Sequence, residues 1–172
     1  MFYRCNSYPS RAAACLQTPP PFLNATESGQ EEMRGPLPAL DILTISADDG
    51  LFDYIASLVR GFGWSVIGRG GCRDAAEYLS THAAAVAITA SELPDGDWKD
   101  VICALRAVSP HPPSIVVVAD WKGEPGDTEV ITRGGFDTLE CPFDKCAVVW
   151  TIASAWHRWM KTRERAPEGS RA

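Results

Sequence analysis

Ile115-Val116-Val117-Val118 is a run of four consecutive β-branched residues, and it constrains this 172-residue chain more than any other stretch. Branched side chains suit a pleated strand and crowd the preceding turn of a helix. A strand with one wet face alternates apolar and polar residues. This run is apolar at every position, so both of its faces are expected to be covered. Strands covered on both faces belong to parallel sheets, whose neighbours are joined by crossover helices. Breakers bound the run: Ser109-Pro110-His111-Pro112-Pro113 lies before it and a Gly/Pro-rich stretch, 122–126, after it.

The rest of the chain supplies the partners that such a strand needs. Ile42-Leu43-Thr44-Ile45 reads as a short first strand. Leu51, Ile55, Leu58, Val59 and Phe62 then recur at helical spacing, with Gly61 and Gly63 at the end. Trp64 to Gly68 reads as a second strand, with a helix over 73–80 after it. A third strand over 84–89 runs into a turn, Leu93-Pro94-Asp95-Gly96-Asp97. The next helix uses Val101, Ile102, Leu105 and Val108, and Cys103 is expected on its apolar face as a small buried hydrophobe. A helix over 127–133, closed by Gly134-Gly135, leads to a fifth strand at 137–140. Asp144 is placed to cap a final helix to about Arg165. Five βα units with short connections predict a doubly wound α/β domain, with a five-stranded parallel sheet and ligand sites at the carboxyl ends of the strands. The domain is expected over 39–165. Residues 1–38, with three successive prolines and no periodicity, are expected as a disordered tail within which Met33 is a candidate start, and 166–172 as a C-terminal tail.

Composition narrows the function. Hydrophobic residues are 45% of the chain and charged residues 22%, enough for a core. The net charge of −6, from 16 basic and 22 acidic residues, argues against direct nucleic-acid binding, which relies on neutralising phosphates. Arg158, Lys161, Arg163 and Arg165 read as a solvated helix end. The chain has no apolar run of about 18 residues and no secretory signal, so no membrane association and a cytoplasmic setting with reduced cysteines are expected. Six cysteines without a C-x-x-C pair, and three scattered histidines, give no zinc spacing. Cys141 and Cys146 are expected to be inert thiols. Gly68-Arg69-Gly70-Gly71 lacks the spacing of a dinucleotide loop and reads as a structural turn.

Three stretches carry a family likeness: Glu92-Leu93-Pro94-Asp95-Gly96-Asp97-Trp98 after the third strand, Gly134-Gly135-Phe136-Asp137 before the fifth, and Cys141-Pro142-Phe143-Asp144 after it. In this order on a βα ladder they resemble the "LP-x-x-DG", "GA-x-D" and "KPF" stretches of CheY-like response-regulator receiver domains, over about residues 40–160. The resemblance implies a flavodoxin-like, CheY-like (βα)5 fold and a role in two-component signalling, or phosphorelay. It also implies a phosphorylation pocket. Two carboxylates after the first strand would hold magnesium, and an aspartate after the third would accept phosphate. A Ser/Thr after the fourth strand and a lysine after the fifth would contact the phosphoryl group.

Carried over, the acidic pair falls on Ser46 and Ala47, and the acceptor on Ala90, four residues before Pro94. The Ser/Thr position falls on Val118 and the lysine on Cys141. Ala90 cannot form an acyl phosphate, Val118 cannot donate a hydrogen bond, and Ser46 and Ala47 bring no charge to a hard cation. A two-residue shift would offer Asp48 and Asp49 as metal ligands, yet no acidic residue lies between Ala83 and Ser91 to act as acceptor. Asp48, Asp49, Glu92, Asp95, Asp97 and Asp120 are expected to crowd the carboxyl end of the sheet as solvated loop charge. The resemblance places the partner face of receivers at the fourth helix, fifth strand and fifth helix. On the last helix, Trp150 is expected to face the core. Trp156 and Trp159 are expected to pass the sheet's edge and form a candidate partner face. The resulting expectation is a stand-alone degenerate receiver, a pseudo-receiver without enzymatic activity or cofactor, that binds a protein (a kinase, a regulator or a second copy). The alternative is a flavodoxin-like protein that binds a small ligand or nucleotide.

Overall fold

The structure, a computed structural model, describes residues 40–119, 122–140 and 143–165. The two expected tails, Met33, Asp120 and Cys141 lie outside the described residues. Strands β1 (Asp41–Ile45), β2 (Ser65–Arg69), β3 (Val86–Ala90), β6 (Ser114–Ala119) and β7 (Asp137–Glu140) form one sheet in the order β2-β1-β3-β6-β7. Every neighbouring pair in it is parallel. Helices α1 (Asp49–Val59), α2 (Cys72–Thr81), α3 (Trp98–Val108), α4 (Asp127–Arg133) and α5 (Lys145–Arg165) make the crossovers and the final element. This is the expected doubly wound five-stranded sheet of the CheY-like (βα)5 type.

Side chains along each central strand alternate between two cores, as a period of two requires. Leu43, Ile45, Ala87, Ile115 and Val117 pack with α2, α3 and Val130 of α4. Ile42, Val86, Ile88 and Val116 pack with α1 and α5, through Ile55, Val59, Val148, Ile152 and Ala155. Ile115, Val116 and Val117 are all buried, so the run 115–118 is covered on both faces as expected; Val118 is half-buried against the second core. The buried threonines find acceptors: Thr44 Oγ1 donates to the Ile67 carbonyl at 3.3 Å, and Thr138 Oγ1 to the Asp127 carboxylate. Among the described residues no buried side-chain nitrogen or oxygen lacks a partner.

The structure departs from expectation in three places. The turn after β3 is a small antiparallel hairpin, β4 (Glu92–Leu93) with β5 (Gly96–Asp97). Two-residue strands carry too little periodicity to be read from sequence. Cys103 is exposed, as is Val108, against the apolar-face expectation. A helix turns about 100° per residue, so Cys103, between Ile102 and Leu105 in sequence, points away from the side that both of them bury.

The tryptophans of α5 are the third correction. Trp150 is 41% exposed, whereas Trp156 and Trp159 are half-buried against the α1/α5 core. Val148, Ile152, Ala155 and Trp159 follow each other at steps of three or four and form one stripe, as do Ile152 and Trp156. Trp150 stands two positions from both Val148 and Ile152 and so faces the opposite way. The stripe, not the distance along the helix, decides burial. Trp159→Ala is therefore expected to cost on the order of 2 kcal/mol, while Trp150→Ala stays within about 0.5 kcal/mol. Urea denaturation of both variants checks this, and the reverse order would refute the packing described.

Candidate functional site

In a doubly wound sheet the ligand position is the carboxyl edge where strand order reverses, here between β1 and β3. β1 ends at Ile45, which pairs with Thr89, so Ser46 follows it at the level of Ala90. Ala90 ends β3 and pairs directly with Val118 of β6. The ladder thus brings three of the sequence-derived positions, Ser46, Ala90 and Val118, to one edge, with Ala47 beside Ser46. Ala90 and Val118 are half-buried and neither carries a polar side-chain atom. Cys141, the fifth position, lies outside the described residues.

Ser46 is engaged in the turn. Its backbone N–H donates to the Arg69 carbonyl at 2.9 Å, and its Oγ accepts from the Asp48 N–H at 3.0 Å. Asp48 caps α1, accepting the Gly50 N–H at 2.8 Å. Asp49 lies in the exposed first turn of α1. An open cleft of about 330 Å³ lies between the ends of β1 and β2, lined by Ser46, Ala47, Asp48, Asp49, Phe52 and Arg69 among others. Ala90 and Val118 take no part in it. Arg69 is held at its wall by Asp74, 3.4 Å away, and lies over the Tyr78 ring at 4.5 Å.

Asp95, Asp97 and Asp100 also have structural tasks. Asp97 caps α3 with bonds from the Lys99 and Asp100 N–H groups, while Asp100 Oδ2 accepts the Asp97 N–H, completing a capping box. Asp95, at the hairpin tip, caps a different helix. Its two oxygens accept the N–H groups of Cys72 and Arg73, each at 2.9 Å, at the start of α2. The residue at the cap position of α2 is Gly71, which has no side chain to offer. A Cβ on Gly71 would stand 2.5 Å from Asp95 Oδ1, so the glycine makes room for the distant carboxylate. This accounts for Gly71 in the turn over 68–71. No local motif announces a cap supplied from 24 positions away in sequence.

Each of these three aspartates faces the positive end of a helix rather than a common centre. Among the described residues no group of three or more His, Cys, Asp or Glu side chains is placed to hold a metal ion. The residues present do not fit magnesium: Ser46 and Ala47 supply no carboxylate, and Asp48 is turned to its own helix. Burial, then the nearby carboxylates of Asp95 and Asp100, push the Cys72 thiol upward, away from the reactive thiolate. No helix among the described residues is long and apolar enough to cross a membrane.

The N–H groups of Arg73 and Cys72 hold the Asp95 carboxyl below its ordinary value of 3.8. A carboxyl lowered in the fold contributes stability above its unfolded pKa and loses it as pH falls through the folded value. Asp95→Ala is expected to lower Tm at pH 7 and to show a shallower loss of Tm between pH 5 and pH 2 than the parent. Thermal melts across that range test it. Parallel pH profiles for parent and variant would remove the cap from the account.

No family model matches the chain, and no curated protein matches it in sequence. Solved structures do match. A response regulator receiver domain protein from Clostridium thermocellum superposes with a TM-score of 0.63 at 17% identity, over 72% of this chain and 98% of that one. The signal receiver domain of an HD domain-containing protein from Pseudomonas fluorescens gives 0.65 at 16%, over 78% and 98%. A structure described as adenylate cyclase from Rhodopirellula baltica gives 0.66 at 15%, over 77% and 99%. The strand order, the crossover helices and these superpositions agree: the chain has the fold of a response-regulator receiver domain.

Proposed function

We propose that the chain is a receiver-like module of two-component signalling that works in the cytoplasm by binding a protein, without accepting phosphate and without enzymatic activity. One observation carries the reading: Ala90 lies beside Val118 at the carboxyl edge, where a working receiver would set an aspartate beside a hydroxyl. Phosphoryl transfer needs a nucleophile and cations around the incoming charge. A methyl group and an isopropyl group provide neither. The capping roles of Asp48, Asp95 and Asp97 support the same reading, since each has a structural task at a helix end. With the phosphate chemistry gone, the retained fold serves recognition of a kinase, a regulator or a second copy, through the region of α5.

A nucleotide in the cleft between β1 and β2 is disfavoured by its own lining, where Asp48 and Asp49 would repel phosphate and Arg69 is paired with Asp74. Incubation with acetyl phosphate and magnesium, read by intact mass, is expected to give no adduct. Ala90→Asp alone is expected to remain unmodified, because Ser46 and Ala47 still supply no ligand for magnesium. A stoichiometric gain of one phosphate by the parent chain would overturn the proposal.

A further inference from the structure

A second recessed surface lies at the opposite end of the sheet, where β6 and β7 begin. It is a groove of about 150 Å³ walled by the end of α3, the α3–β6 loop, the α4–β7 turn and the second half of α5. Three arginines from two distant parts of the chain meet there: Arg106 of α3, with Arg158 and Arg163 of α5. From sequence alone the α5 pair has the character of an ordinary solvated helix end. Folding adds Arg106 to them.

The three guanidiniums are positioned rather than free. Arg106 Nη2 donates to the Gly134 carbonyl at 2.8 Å, at the left-handed end of α4. Arg158 lies over the Phe136 ring at 5.5 Å, and Arg163 over the Trp159 ring at 4.6 Å. The Trp159 indole is itself tied to the α3–β6 loop, its Nε1 donating to the His111 carbonyl at 3.4 Å. A guanidinium laid on an aromatic face keeps its N–H edges for an anion and loses less freedom when it binds one. Among the described residues no Asp or Glu lines the groove, and two ion pairs, Arg69–Asp74 and Lys99–Glu129, lie elsewhere. In a chain with six more acidic than basic residues, this is a local reversal of charge.

We propose that this groove is the docking site for an acidic peptide segment of a partner protein. The inference rests on the reading of the chain as an interaction module and names the chemistry of its partner. Size separates a peptide from a nucleotide. Pockets that enclose small molecules measure roughly 300–1,000 Å³, and this groove is half the lower figure or less. An occupant therefore lies across it and meets the arginines in turn, which an extended segment with spaced carboxylates does. Aromatic rings at the floor and arginines at the rim are also the residue types enriched where protein partners bind.

The test uses the full chain and a fluorescein-labelled eight-residue peptide of alternating Glu and Gly, followed by fluorescence anisotropy. Saturable binding is expected, weakening steeply as salt rises. Arg158→Gln/Arg163→Gln is expected to bind about tenfold more weakly or worse. Arg60→Gln/Arg73→Gln, which removes the same charge elsewhere, is expected to stay within about twofold. Thermal melts confirm that each variant is folded, and Arg106→Gln gives a third reading if one pair is unstable. Equal losses in both double variants would reduce the effect to net charge and overturn the proposal. So would absence of binding, or displacement of the peptide by ATP or inorganic phosphate at lower concentration than by unlabelled peptide. The phosphorylation assay is read on a different atom at the other end of the sheet. A failed groove therefore leaves the degenerate-receiver reading standing, and a phosphate adduct would leave a measured groove in place.

Discussion

Two helix layers on one sheet leave β1, β3 and β6 with helices over both faces, and the rest of the molecule answers to that constraint. Backbone groups shut away from water must be paired, so the parallel ladder has to run unbroken. The side chains of these strands must be apolar or find a partner, as Thr44 and Thr89 do. The register then has little freedom, because a slip of one residue would exchange the two cores, sending Ile42 and Ile88 to the α2/α3 side and Leu43 and Ala87 to the other. Since the same ladder sets Ala90 against Val118, the core and the carboxyl-edge site are one structural decision.

Three aspartates near the carboxyl end of the sheet sit at helix ends. Asp48, Asp95 and Asp97 each answer the unpaired N–H groups that open a helix, and two of them do so from the adjoining residue. Asp95 acts across space. Its hairpin is too short to be stable alone and is fastened by the α2 N-terminus as much as it fastens it. The basic side chains are distributed differently, with three arginines braced on carbonyl and aromatic surfaces at the other end of the strands.

Much of the fold was legible because long elements announce themselves. The run 115–118, the helical spacing from Leu51 to Phe62, and the α4 limits at Asp127 and Arg133 depend on near neighbours in sequence. The misplaced features depended on the angle around a helix or on distant partners. Trp150 and Cys103 have apolar sequence neighbours, but the positions of Ile152, Leu105 and Ile102 set the buried stripe and turn both away from it. The Asp95 cap, and the meeting of Arg106 with Arg158 and Arg163, join segments more than 20 residues apart and leave no local trace. At the carboxyl edge, the residue types of Ser46, Ala47, Ala90 and Val118 were readable from sequence; that Ala90 and Val118 are direct neighbours required the register.

The contact between Gly71 and Asp95 makes each residue the condition for the other. A serine or aspartate at 71 would cap α2 from the usual place, and its Cβ would have to push the Asp95 carboxylate aside. Loss of Asp95 first would leave α2 uncapped behind a glycine. Each single step disturbs this contact, and the two together exchange one cap for the other without a clash. The order in which substitutions can accumulate in this loop pair is therefore restricted by a few tenths of a nanometre, and Gly71→Ser with Asp95→Ala should be better tolerated than the two single changes suggest.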